Sequence, residues 1–169
     1  ETMVEPWLRG TLTEVDAVRR QVLHALELAE QDVAKWCEGL TDAEVNARPF
    51  GVAPVAFHLR HMVRSLDRLL TYAAASGAQL NEAQMEALRS ELEGGAAAAA
   101  VMEEFERGLA EAVRRVREIA PARYEEPRGV GRKMLPTTVG GLMVHCADHT
   151  QRHVGQVVTT AKVVVGMRV

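Results

Sequence analysis

Five of the six histidines fall in two short stretches, at spacings that suit a metal site. His145, His149 and His153 recur every four residues, so on a helix each lies about 40° from the next. Histidines at i and i+4 have Cβ atoms roughly 6 Å apart and can converge on one ion. These three lie beside an apolar stripe, and imidazoles turned into an aliphatic interior are costly without partners, since each carries two polar nitrogens. The pattern favours a bound metal ion.

A further ligand is expected from the other stretch, which contains His58 and His61. Both lie outside the sector that the arginines of this stretch occupy, and they differ by about 60° around a helix. Periodicity therefore turns both inward and does not choose between them. A single inward histidine such as His145 is more often a core residue bonded to a carbonyl or water, whereas the whole set favours a metal.

Four long segments with one apolar face each are expected to position these side chains. The economical arrangement is an all-α fold, a four-helix bundle without a β-sheet. The connection over residues 76–95 contains a short helical piece and indicates a long crossover between helices two and three. Segment 121–137 contains Pro and Gly and predicts a loop. The four predicted helices cover about 13–36, 54–75, 96–120 and 138–165.

Two helix starts carry recognisable capping residues. Thr41 and Glu44 have the spacing of a capping box and predict a short helical turn after the first long helix. Thr137 or Thr138 is expected to cap the last helix.

Length and composition indicate one ordinary globular domain over residues 1–169. Hydrophobic residues make up 47% and charged residues 25% of the chain, which excludes wholesale disorder. The net charge of −3 gives no general attraction to nucleic acid or anionic membranes. No apolar stretch approaches the ~20 residues of a membrane span. Two cysteines are too few for a disulfide framework, which predicts a cytoplasmic protein.

Other reactive or charged groups are assigned structural roles. Cys146 is expected to fill apolar space and Cys37 lacks an acid–base partner, so neither is a candidate nucleophile. The basic segment 123–133 is interpreted as a solvated connection or, alternatively, a site for an anionic group. A solvated face is predicted for the polar residues of helix two, namely Arg60, Arg64, Arg68 and Asp67.

The histidine stretches resemble those of a known family. The run from His145 to Gln156, HCADHTQRHVGQ, is similar to the HxxxHxxxHxGQ signature of the DinB/YfiT-like superfamily. The stretch His58–Ser65, HLRHMVRS, resembles the histidine motif on the second helix of that family. The two motifs stand in the expected order, and the resemblance covers most of the chain.

The resemblance implies a four-helix bundle that holds a divalent ion through one histidine of helix two and two of helix four. The family spacing before Ser65 carries the helix-two role to His61, and the helix-four roles go to His149 and His153. The presence of His58 leaves that helix-two assignment open to test. The residues implied to line the pocket or bond to the ligands from outside are His58, His145 and Gln156. Zinc or nickel is the expected ion, with iron and manganese as alternatives.

The resemblance also implies a range of activities. Some relatives are thiol-dependent transferases that use mycothiol, bacillithiol or glutathione, so a metal-dependent S-transferase acting on a small-molecule substrate is the leading hypothesis. Three histidines leave coordination positions open, as expected of a catalytic ion. The alternatives are a metal-dependent hydrolase and a non-catalytic metal-binding or dimeric interaction bundle. A homodimer is expected.

Overall fold

A computed structural model describes residues 3–168 and shows a mostly helical fold, as predicted. Glu1, Thr2 and Val169, the ends of the predicted domain, lie outside the described residues. None of the helices described is both long and apolar enough to cross a membrane. The helices are α1 (Ala17–Cys37), α2 (Asp42–Asn46), α3 (Val55–Ala74), α4 (Glu82–Arg89), α5 (Ala98–Glu118) and α6 (Val139–Gly166).

The four long helices pack on one another around an aliphatic core. Helix α6 contacts α1 and α3, and α5 contacts α3 and α1. Gly108 lets α5 approach α3 closely, because a Cβ at this position would lie 2.6 Å from the Cβ of Val63. The largest fully buried side chains include Leu26, Leu59, Met62, Leu66, Phe105 and Met143. The burial of these side chains fixes α3 and α6, the two helices that carry the five clustered histidines.

The predicted capping residues are confirmed. Thr41 Oγ1 accepts a hydrogen bond from the Glu44 amide, and the Glu44 carboxylate accepts one from the Thr41 amide, which is the capping box of α2. At the start of α6 the cap is Thr138, whose Oγ1 accepts from the Gly141 amide at 3.0 Å. Helix α6 therefore begins where the sequence places it.

The prediction of a structure without a β-sheet is wrong at one place, within the segment predicted to be a loop. Strands β1 (Pro127–Val130) and β2 (Leu135–Thr138) form an antiparallel hairpin. Gly131 has a φ of +71° and Met134 one of +49°, and these left-handed conformations reverse the chain within four residues. Both strands are edge strands, where proline is tolerated, so the prolines that indicated a loop are compatible with the hairpin.

The hairpin lies between α5 and α6 along the chain and contacts both the end of α3 and the start of α6. The buried guanidinium of Arg128 donates to the carbonyl oxygen of Ala73, in the last turn of α3. The amide of Val139 donates to the Glu126 carbonyl at 3.0 Å, just before β1. This part of the basic segment is therefore structural: it satisfies carbonyl groups that a helix end leaves free.

The prediction of a solvated polar face on α3 is wrong, because α4 and α5 cover most of this face. Arg60 and Arg64 both pair with Glu104 of α5, and their side chains are only 18% and 14% exposed. Arg64 also donates to the carbonyl oxygen of Ala87 in α4. The connection between α3 and α5 thus packs against α3 through polar contacts, which the spacing of apolar residues does not indicate.

Candidate metal centre

Helices α3 and α6 bring three histidines together. One ring nitrogen each of His61, His149 and His153 lies within 4.8 Å of the other two, and the three side chains are partly exposed. The ring centroids are 4.5 to 4.9 Å apart. We call these three residues the histidine cluster. They are the same residues to which the sequence resemblance points, and their role as ligands stays a prediction.

The ring of His61 is oriented by a hydrogen bond on its outer side. Its Nδ1 lies 2.8 Å from Oε2 of Glu91, and a carboxylate can only accept, so Nδ1 carries the proton. With a proton on Nδ1, Nε2 is the ring nitrogen that can bind a metal, and it lies 3.2 Å from Nε2 of His149. Two nitrogens bound tetrahedrally to one zinc ion at ~2.0–2.1 Å lie roughly 3.3 Å apart. The observed separation therefore suits a shared ion.

His58 lies outside the histidine cluster and contacts it through His153. The Nδ1 atoms of His58 and His153 are 2.9 Å apart, so one donates and the other accepts. If His153 donates, its Nε2 keeps a lone pair and His58 acts as the acceptor. His58 would then support His153 in the way that Glu91 supports His61.

The electrostatics of the site favour the neutral form of His58, His149 and His153. Burial lowers the pKa of His149 to about 4, and the neighbouring rings of His153 and His61 add to the shift. Burial likewise lowers the pKa of His153 and that of His58 to about 4. At neutral pH each of these imidazoles therefore keeps one ring nitrogen unprotonated. Neutral imidazole suits zinc, nickel, copper and iron, so the donor set fits a divalent transition metal.

The remaining residues named from the sequence surround the cluster. The side chain of His145 is 43% exposed, and its Nδ1 lies 2.8 Å from Oδ1 of Asp148. Its ring centroid is 5.4 Å from that of His149, so it flanks the cluster from the solvent side. Gln156 is exposed and lines a cavity whose wall includes His58.

Sequence reasoning missed Glu91, which follows α4 in the connection between α3 and α5. Its side chain is only 9% exposed, and among residues 3–168 its Oε1 has no hydrogen-bond partner. Nothing in the local sequence distinguishes this glutamate from its acidic neighbours. Phe57 was also missed; its ring stacks on His61 at a centroid distance of 5.2 Å and an interplanar angle of 17°.

Both cysteines are poor nucleophiles, as predicted. Burial raises the pKa of Cys37 to about 11 and that of Cys146 to about 12. A thiolate is the reactive form, so neither side chain supplies one near neutral pH.

We expect Glu91→Gln to weaken metal affinity by roughly tenfold to a hundredfold, the range typical of groups that orient a metal-binding histidine. The amide keeps the size of the side chain but removes the charge that holds the proton on Nδ1 of His61. Competition with a chromophoric chelator measures the affinity. Glu86→Gln, on the exposed side of α4, is the matched control and should leave it unchanged. Equal affinities for the two variants would contradict this role.

The metal-free protein should lose stability as the pH falls from 6.5 to 4.5. The pKa of His58, His149 and His153 is about 4 in the folded state, below the ordinary value of 6.5, so in this window the unfolded chain binds more protons. Because the rings of His149 and His153 are partly exposed, we expect a total loss of about 2 kcal/mol and a Tm decrease of about 4–8 °C. Thermal unfolding followed by circular dichroism tests this. His149→Ala should flatten the dependence, and a Tm that is constant or rises towards pH 4.5 would contradict it.

The chain matches a known family. A family model described as the DinB superfamily matches residues 25–157, a span that contains both histidine motifs, Glu91 and the connection between α3 and α5. A search of curated proteins finds no match.

Proposed function

This chain belongs to the DinB superfamily, and from that membership we propose that it is a divalent-metal-dependent enzyme that transfers a thiol to a small-molecule electrophile. The observation that supports this most is the partly exposed histidine cluster. Three protein ligands leave coordination positions open, which is typical of catalytic rather than structural ions. We further infer the crossover four-helix bundle of that superfamily from the four long helices.

The residues of the chain would hold and orient the ion. His61, His149 and His153 would bind it through the nitrogens that face one another. Glu91 and His58 would keep the proton on the outer nitrogen of His61 and His153. A divalent ion with open positions lowers the pKa of a thiol or a water molecule bound to it, which supplies a nucleophile near neutral pH.

The thiol is expected to come from outside the chain. Cys37 and Cys146 are both buried and hold their protons. A low-molecular-weight thiol such as glutathione, bacillithiol or mycothiol is therefore the proposed co-substrate. A cavity of about 480 Å³ is lined by His58, which contacts His153 of the histidine cluster, and offers room for the electrophile.

Turnover with defined thiols tests the proposal. The protein loaded with zinc or nickel is incubated with each of the three thiols and 1-chloro-2,4-dinitrobenzene. The thiolate sulfur displaces chloride from the ring carbon and the thiol proton passes to solvent, so thioether formation can be followed by absorbance. We expect metal-dependent turnover that His149→Ala abolishes.

The controls separate this reaction from the alternatives. If the protein hydrolyses 4-nitrophenyl acetate without thiol, and this activity again depends on metal and on His149, the proposed activity becomes hydrolysis instead of thiol transfer. Metal binding without either reaction would favour a non-catalytic metal-binding bundle. A homodimer stays a prediction, which sedimentation of the loaded protein can test.

A further inference from the structure

The cavity beside the histidine cluster is placed to receive a ligand. It lies between α6 and the segment before α3, and His58 forms part of its wall. Through His58 it is one hydrogen bond away from His153, at 2.9 Å between the two Nδ1 atoms. Its volume of about 480 Å³ falls within the range of small-molecule sites. A molecule bound here would lie next to the cluster.

The cavity wall carries one cationic side chain. Arg152 of α6 lines it, and across residues 3–168 no carboxylate lies within ion-pair distance of its guanidinium. Arg60, Arg64 and Arg115, by contrast, each pair with an acidic side chain. Guanidinium groups bind carboxylates and phosphates well because their donors form a planar fork. Arg152 is exposed and lines the cavity, so its guanidinium is available to an anionic group on the ligand.

The segment before α3 presents apolar side chains at the mouth of the cavity. Phe50 is 93% exposed and Val52 is 50% exposed. Phe50 also has a φ of +54°, a left-handed conformation that is unusual for a bulky residue. A ligand with an apolar body would cover both side chains and remove their surface from water.

The opposite wall is open because of a glycine in the middle of α6. Gly155 lines the cavity, and a Cβ built at this position would meet no atom of the described residues within 4 Å. A larger side chain here would therefore extend into the cavity without displacing the protein. The same position provides a clean means of closing the cavity.

We propose that this cavity binds a small organic acid, with its apolar body against Phe50 and Val52 and its carboxylate at Arg152. The proposal rests on the proposed function in one respect: the acid is the electrophile, and the thiol sulfur and its proton add across an activated carbon–carbon double bond of the acid, so that no group leaves. Binding itself requires only the residues of the cavity, so it is expected in the metal-free protein as well.

Calorimetric titration tests the proposal. The metal-free protein and the zinc-loaded protein are each titrated with 2-naphthoate and with its neutral analogue 2-naphthamide. We expect 2-naphthoate to bind at least about tenfold more tightly, because the amide lacks the charge that pairs with Arg152. Arg152→Gln should remove this preference, whereas Arg132→Gln, an exposed change of equal charge on the hairpin, should keep it.

Closing the cavity provides a second, independent comparison. Gly155→Leu should abolish binding of both compounds while the helix is retained, because leucine is a better helix former than glycine. Gly166→Leu, at the far end of α6 and also facing open space, should bind as the unchanged protein does.

Three results would overturn the proposal. Equal binding of acid and amide would remove the anion assignment, and binding unaffected by Gly155→Leu would place the ligand elsewhere. A dimer that Phe50→Ser converts to monomers would show that a second copy covers the apolar mouth. If the unsubstituted protein binds 2-naphthoate but shows no metal binding or no turnover, the proposed function is overturned and the proposed cavity is kept. If it shows metal-dependent turnover but does not bind 2-naphthoate, the proposed function is kept and the organic acid is removed as the substrate class.

Discussion

Replacing His149 with alanine should abolish stoichiometric metal binding and leave the protein folded. Two nitrogens remain after this change, and two histidines make an incomplete site for a tightly held ion. The loss should far exceed the roughly hundredfold effect of groups that only orient a ligand. The fold should persist, because alanine is a good helix former and His149 lies at the partly exposed edge of α6.

Elemental analysis after gel filtration measures the metal content per chain and so tests the loss of the ion. Circular dichroism measures the helical content and so tests whether the protein stays folded. His145→Ala is the matched control, one turn earlier on the same helix, with a half-exposed ring paired to Asp148. We expect it to retain the ion. Full metal content in the His149 variant would remove this residue from the ligand set.

The parts of the fold and site that could be predicted from the sequence depend on periodicity along one helix. The spacing of His149 and His153 places both on one side of α6, whatever the rest of the chain does. The cap at Thr138 is equally local, since it needs only an oxygen three residues before a free amide. Such features depend on residues close in sequence, and the structure shows them where they were expected.

The parts that could not be predicted depend on contacts between distant segments. Glu91 is 30 residues from His61 along the chain and reaches it only because the connection between α3 and α5 packs against α3. Glu104 covers the arginine face of α3 from another helix. The hairpin was not predicted for a different reason. Its prolines indicated a loop, although edge strands tolerate proline.

The choice between His58 and His61 shows where the two kinds of information meet. Helical periodicity turns both rings inward and cannot rank them. The contacts differ: Nε2 of His61 faces His149, whereas Nδ1 of His58 bonds to the outer nitrogen of His153. From these contacts we predict that His61 binds an ion and that His58 orients a residue that binds it.

His61→Ala should therefore lose the ion, whereas His58→Ala should keep it with an affinity lowered by roughly tenfold to a hundredfold. Metal content and chelator competition, measured on both variants under identical conditions, compare the two directly. Loss of the ion in the His58 variant together with full loading of the His61 variant would place the ligand one turn earlier on α3.

Glu91 supplies an internal check on the same assignment. If Glu91 acts only by holding the proton on Nδ1 of His61, then Glu91→Gln should have no further effect on metal affinity once His61 is alanine. The weak residual affinity of His61→Ala and of the double variant His61→Ala/Glu91→Gln is measured with the same chelator. Equal values would show that Glu91 acts through His61. A further loss in the double variant would mean that Glu91, whose second oxygen is buried without a partner among the described residues, contacts the ion itself.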